Sequence, residues 1–282
     1  FGASRTIPLK AIESALGEAL GGKEVASALK SYGYTVKSAG QKVAVQLPPY
    51  RNDLLHTVDV VEDVAISQGY ARFAPVMPSQ FTVGGLSRLE QMADRVRHLM
   101  VGLEFQEIIS NIMGSHQDFC TRMRLDGTEW AKVVEVDNVM SLSYSCLRQW
   151  ITPSLLQVET NSSRAFYPHR MFEVGEVAIP DASADVGSRT VTMLGAVIAH
   201  AGAHFSEIHS CLDLLLYYLD RPFTLEPVDH PSFLDGRAGK IVSNGRVIGL
   251  LGELHPEVLE HWQIGVPAVA LEVEIDRLLE EV

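Results

Sequence analysis

The chain has 282 residues, enough for two domains or for one domain with an appendage, and its 46% hydrophobic and 21% charged content is that of a folded protein rather than a disordered one. Its formal net charge of −12, from 35 acidic against 23 basic residues, disfavours broad attraction to phosphate backbones, so any nucleic-acid contact must be local or supplied by a partner. The longest apolar run, Val191 to Ala199, is broken by Thr and Gly and falls far short of the roughly 20 residues a spanning helix needs, so no membrane partner is expected.

Cys120, Cys146 and Cys211 lie far apart with no Cys-x-x-Cys pair, which suggests neither a disulfide framework nor a zinc knuckle and fits a reducing, cytoplasmic setting. The opening Phe1-Gly2-Ala3-Ser4 has no initiator Met and no signal-peptide pattern, and reads as a segment of a longer polypeptide.

Taken in chain order, Ile12, Ala15, Leu16 and Leu20 recur at helical spacing, and a second helix is expected from Lys23 to Tyr32, stopped by Gly33. Tyr34 to Ser38 and Gln41 to Leu47, joined by Ala39-Gly40, read as a hairpin. After Pro48-Pro49 a third helix runs from about Thr57 to Gln68. Helix, helix, hairpin, helix is the order of a winged-helix-like module, placed at residues 1–72. The Pro-bearing, aperiodic stretch Ala71 to Ser79 marks the boundary.

A larger domain, residues 80–282, then opens on an amphipathic helix from about Leu86 to Gly102, with Leu89, Met92, Val96 and Leu99 on one stripe. Short strands are expected near Glu107 to Met113, Lys132 to Val136, Met171 to Val177, Val191 to His200, Ala238 to Val242, Val247 to Leu251 and Ala268 to Ile275. They are spaced too closely for strand-helix alternation. The fold class is therefore α+β, with a mixed, mainly antiparallel sheet flanked by helices.

Five stretches in order resemble one family. Leu47-Pro-Pro-Tyr-Arg-Asn-Asp leading into the acidic helix, Leu147-Arg-Gln-Trp-Ile-Thr-Pro-Ser-Leu-Leu, Phe172-Glu-Val-Gly-Glu-Val, His230-Pro-Ser-Phe, and Gly249-Leu-Leu-Gly-Glu-Leu-His-Pro-Glu-Val-Leu are similar to the beta subunit of phenylalanine-tRNA ligase, archaeal or eukaryotic type. The absence of a further extension after Val282 favours that branch over the bacterial one. The resemblance implies a winged-helix-like module followed by a catalytic-like domain of class II synthetase fold. It also implies an alpha subunit as partner in an alpha2-beta2 heterotetramer and contact with tRNA(Phe) through the complex. The alpha subunit would bind ATP, phenylalanine and the tRNA end, while this part of the beta subunit organises it without chemistry of its own. The family's editing module would lie upstream of Phe1.

The most informative polar group is Asp53, Asp59, Glu62 and Asp63. The last three, spaced i, i+3, i+4, share a helix face, and Asp53 sits where the chain can fold back toward them. Hard oxygen ligands suit magnesium (Mg2+), and the resemblance implies a magnesium site on these four positions, shared with the alpha subunit. The alternative is that the acids only complement the positive end of the helix dipole.

No catalytic and no nucleotide-holding residue is assigned. Glu253 and His255 stand in the third-motif stretch where an active ligase needs an arginine for the ATP phosphates. Arg170 and Glu173 match a second-motif clamp only superficially and read as structural. His255-Pro256 reads as the start of a short helix. His200, His204 and His209 lack ligand spacing, and Arg88, Arg95, Arg97 and His98 read as a polar helix face or a partner surface. Two rivals stand beside this reading: a stand-alone class II paralogue binding an amino acid for regulation, and a nucleic-acid-binding winged helix, against which the acidity of Thr57 to Gln68 argues.

Overall fold

A local turn fixes the first part of the chain. Gly40 takes φ 56° and reverses the strand direction between β2 (Thr35–Ala39) and β3 (Lys42–Gln46), a conformation glycine adopts without steric cost. The computed structural model describes residues 4–162 and 164–279; residues 1–3 and 280–282, the outer ends of the two expected domains, lie outside the described residues.

The chain divides between Val83 and Gly84, a few residues beyond the expected boundary stretch. In the first unit, β1 (Arg5–Pro8), not foreseen from its four residues, pairs antiparallel with β3, giving the sheet order β1-β3-β2. Around it pack α1 (Leu9–Leu16), α2 (Gly22–Ser31) and α3 (Thr57–Gln68). Ile12, Val25, Leu29, Val43, Val45, Val60 and Val64 are buried completely in one core. Leu20 falls beyond α1 yet joins the same core.

The second unit begins with α4 (Arg88–Gly102), started by the Ser87 side chain, which accepts from the Glu90 N–H. The elements that follow are β4 (Gln106–Glu107), β5 (Met113–Gly114), β6 (Val134–Glu135), β7 (Cys146–Leu147), α5 (Thr152–Asn161), β8 (His169–Pro180), β9 (Ser188–Ala199), α6 (Phe205–Tyr218), β10 (Thr224–Pro227), β11 (Phe233–Ser243), β12 (Arg246–Leu254), α7 (Pro256–His261), β13 (Ala268–Glu274) and α8 (Ile275–Leu278).

The main sheet has the order β10-β11-β12-β13-β9-β8-β4, antiparallel throughout except for the short parallel pair β4 and β8. One face carries α4, α6 and α8 over a core that includes Val96, Met100, Leu212, Leu215 and Leu271; the other carries α5 and α7 with Trp150, Ile151, Leu155 and Trp262. A small sheet, β5-β7-β6, is formed by the segment between β4 and α5.

The register of the main sheet aligns one row of side chains across six strands: Glu226, Lys240, Leu250, Glu272, Gly195 and Glu173 are successive partners. Paired residues on neighbouring strands project to the same face. Charge is thus built into the row that underlies α5. Gly195 is required there, because a Cβ would come within 2.5 Å of the Ile151 Cβ.

Candidate functional site

The acidic segment of the first unit is organised around Arg51 rather than around an open carboxylate cluster. Arg51 Nη1 donates to Asp63 Oδ2 at 2.7 Å, while its Nε and Nη2 hold both oxygens of Asp53 at 3.0 and 2.7 Å. The Tyr34 hydroxyl donates to the same Asp63 oxygen at 2.5 Å. Arg51 also lies over the Tyr34 ring, 5.4 Å from its centroid. Burial, then the hydrogen bond to Asp63, pushes the Tyr34 hydroxyl far above its ordinary range. The hydrogen bonds to Asp53 and Asp63 keep Arg51 protonated, and Arg51 in turn lowers the Asp53 carboxyl.

Asp59 serves the helix. Its Oδ2 accepts from the backbone N–H of His56 at 2.6 Å and of Leu55 at 2.7 Å, bonds that hold its pKa below the usual carboxylate range. Glu62 points to solvent and Asp63 is buried. The convergence expected from the i, i+3, i+4 spacing is therefore corrected: neighbours on the helix still diverge by their position around the axis, and Asp53 turns to Arg51 two residues away. Among the described residues no three His, Cys, Asp or Glu side chains form a group able to hold a metal ion. A guanidinium bonds Asp53 and Asp63, and two backbone amides bond Asp59.

On the large sheet, the polar residues near the row are tied to one another. Arg148 and Glu173, both almost fully buried, pair at 2.7 Å; Arg148 also donates to the Glu176 carbonyl at 2.9 Å and Ser110 Oγ at 2.8 Å, and Ser110 donates to the second Glu173 oxygen at 2.5 Å. Gly175 makes room, since a Cβ there would meet Arg148 Nη2 at 2.4 Å. Glu272 Oε1 accepts from the N–H groups of Ile151 and Thr152 at 2.9 and 2.6 Å and from the Thr152 hydroxyl at 2.6 Å, which anchors the start of α5. Burial raises the Glu272 carboxyl to about 7.

The remaining motif residues also have structural partners. Arg170 and His200 Nε2 bind the two oxygens of Glu207 at 2.6 and 2.8 Å. Glu253 accepts from the Phe205 N–H at the start of α6, and His255 caps α7 with Pro256 in its first turn. His204 Nδ1 lies 3.0 Å from the Gly202 carbonyl and His209 pairs with Asp213 at 3.7 Å. Arg148 and Glu272 were missed as site residues from sequence; the only signal was one acid inside the apolar run Val269 to Val273.

The outer surface of α4 and α6 carries a group of exposed apolar side chains at their C-terminal halves. Val101, Leu214, Tyr217 and Tyr218 are exposed, Tyr217 to 75%, beside a shallow groove between the two helices lined by Leu99, Leu103 and Leu215. Arg95 donates to the Tyr218 carbonyl, and Arg97 pairs with Asp94 and Glu107 at 2.9 and 3.1 Å. No described helix is long and apolar enough to cross a membrane.

Comparison with known sequences and structures places these features. The profile of the phenylalanyl tRNA synthetase beta chain CLM domain matches residues 74–275, and that of the tRNA synthetase B5 domain matches residues 5–70. The chain belongs to the phenylalanine-tRNA ligase beta subunit family. Relatives described as this beta subunit include those of Treponema pallidum (36% identical over 279 residues, 99% of this chain and 46% of theirs), Borreliella burgdorferi strain B31 (39% over 268, 95% and 47%) and the archaeon Thermococcus onnurineus (33% over 272, 93% and 48%). The chain spans about half the length of these relatives. In fold it is similar to a pyrrolysyl tRNA synthetase from Desulfitobacterium hafniense, with a TM-score of 0.58 at 18% identity over 79% of this chain and 77% of the other. The α+β class and the class II-like sheet expected from sequence are thus those of the molecule.

Proposed function

We propose that this chain is an assembly segment of phenylalanine-tRNA ligase: it holds the catalytic alpha subunit in an alpha2-beta2 heterotetramer and performs no chemistry itself. The observation that carries the proposal is the exposed apolar face of α4 and α6, whose tyrosines and leucine have no core to fill and suit a protein partner. A non-catalytic role is supported by the sheet, whose acids and bases pair with each other or start helices: Arg148 with Glu173, Glu207 with Arg170, Glu253 with the first turn of α6.

On this reading ATP, phenylalanine and the tRNA end are handled by the alpha subunit, in the cytoplasm, and tRNA(Phe) reaches this chain only through the complex. Magnesium at Asp53, Asp59, Glu62 and Asp63 belongs to the assembled ligase, because in the chain by itself Arg51 holds both oxygens of Asp53 and one of Asp63, and the Leu55 and His56 amides hold one oxygen of Asp59. The test is co-expression with a matching alpha subunit followed by pull-down, together with phenylalanine-dependent ATP–pyrophosphate exchange by the chain alone. Capture without exchange is expected. Exchange by the chain alone, or failure to capture, defeats the proposal.

A further inference from the structure

Beneath α5 the charged row of the main sheet borders a cavity of about 480 Å³, within the size range of small-molecule sites. Leu250 and Met193 give it an apolar floor, and Trp130, Trp150 and His230 form an aromatic wall, with His230 4.5 Å from Trp130 and 5.5 Å from Trp150 between ring centroids.

Two polar atoms of its lining are buried without a hydrogen-bond partner among the described residues: Glu272 Oε2, an acceptor, and Trp150 Nε1, a donor. Glu272 is 1% exposed and Trp150 6%. Leaving such groups unmatched costs on the order of 1–3 kcal/mol each. The two belong to one corner, because the Ile151 N–H next to Trp150 donates to the other oxygen of Glu272.

We propose that this cavity binds a small primary amine with an apolar body and an oxygen acceptor on the adjoining carbon. The ammonium donates to Glu272 Oε2, and the acceptor receives the Trp150 indole N–H. A cation is preferred because an ammonium at Oε2 would hold Glu272, whose carboxyl burial raises to about 7, in its charged form, and a charge-assisted hydrogen bond is about twice as strong as a neutral one. His230 adds no opposing charge near neutrality, since burial lowers it to about 4. Of the other charged side chains lining the cavity, Glu129 and Lys132 are exposed and offset each other. Lys240 lines the same cavity from the same sheet face, its backbone two strands from that of Glu272 across Leu250, and neither it nor any other described side chain bonds Glu272 Oε2. The aromatic wall suits both the apolar body and the cation. This site is independent of the assembly reading.

The experiment is isothermal titration of the intact chain with leucinol, isopentylamine, isopentanol and isovalerate. Leucinol should bind with a dissociation constant of about 1 mM or tighter, isopentylamine severalfold more weakly, and the alcohol and the acid at least about tenfold more weakly than isopentylamine. Glu272→Gln, which keeps an acceptor for the α5 amides, should lose at least about tenfold in affinity for both amines. Trp150→Phe should erase the advantage of leucinol over isopentylamine. Absence of saturable binding by both amines up to about 10 mM, or equal binding of isopentylamine and isopentanol, overturns the proposal. The wild-type ligand series decides this even if a thermal melt shows that Glu272→Gln fails to fold.

Discussion

Arg51 Nη1 stands 2.7 Å from Asp63 Oδ2, and this one contact changes the character of the acidic helix. Asp63 faces the module's interior and is bonded there by Arg51 and Tyr34, so it is a partner within the fold before it is a ligand for anything else.

Removing Arg51 therefore leaves a buried carboxylate with a single donor. Arg51→Gln should destabilise the first unit by about 2 kcal/mol, below the full value for a buried pair because the guanidinium is partly solvated. Tyr34→Phe should cost about 1–2 kcal/mol. Urea denaturation followed by circular dichroism checks both. If Asp63→Asn stabilises the chain instead, carboxylate repulsion dominates and the pairing has no energetic weight.

Magnesium follows from the same contact. Millimolar magnesium should leave the wild-type melting temperature unchanged, and should raise that of Arg51→Gln, in which Asp53 and Asp63 are released. A rise in the wild type would mean that the cation displaces Arg51 unaided. Asp59→Ala should cost about 1 kcal/mol with or without magnesium, as loss of a helix cap does.

Glu272 and His230 give opposite pH dependences. The Glu272 carboxyl is raised from 4.5 to about 7, so the folded state binds the extra proton and its contribution to stability is lost as pH rises from about 4.5 to 7. His230 is lowered from 6.5 to about 4, so the unfolded state binds the extra proton and stability is gained as pH rises through 4 to 6.5. Each is worth roughly 3 kcal/mol over its window, and they largely cancel. Glu272→Gln should make stability climb with pH across this range, while His230→Gln should make it fall. Matching slopes in the two variants would show that neither group titrates as its burial implies.

The Arg148–Glu173 pair should respond asymmetrically. Arg148→Met alone should cost about 3–5 kcal/mol, because Glu173 is left buried and charged; adding Glu173→Leu should recover much of that. A double-mutant cycle in guanidinium reads the difference. Additive losses would mean that packing around Gly175, not charge, is what the pair provides.

On the α4–α6 surface, Tyr217→Ser with Leu214→Ser should abolish capture of the alpha subunit while moving the melting temperature of the free chain by less than about 2 °C, since both side chains are exposed. Arg97→Glu is a weaker probe of partner contact than its position suggests, because Arg97 already pairs with Asp94 and Glu107. A melting temperature that falls in step with capture would assign this surface to the chain's own fold.

The sequence by itself determined the elements whose causes are local. The helix expected from about Thr57 to Gln68 on its apolar period is found at Thr57–Gln68. The hairpin at Ala39-Gly40, the helix start at His255-Pro256 and the stop of α2 before Gly33, at φ 81°, were legible for the same reason: turn and cap chemistry acts over a few residues. The five ordered motifs carried the family, and with it the class II sheet. Tertiary structure decided what depends on distant partners. Arg5–Pro8 is a strand only because β3 offers it a ladder, and β4 only because β8 does. Helical spacing placed Asp59, Glu62 and Asp63 together, but what Asp63 faces was set by Tyr34 and Arg51, 29 and 12 residues away. Glu272 meets the α5 amides and faces a cavity because sheet register aligns it with Leu250 and Gly195 and leaves Ile151 room above the glycine. Register is fixed by burial summed over the whole face, a quantity no local window contains.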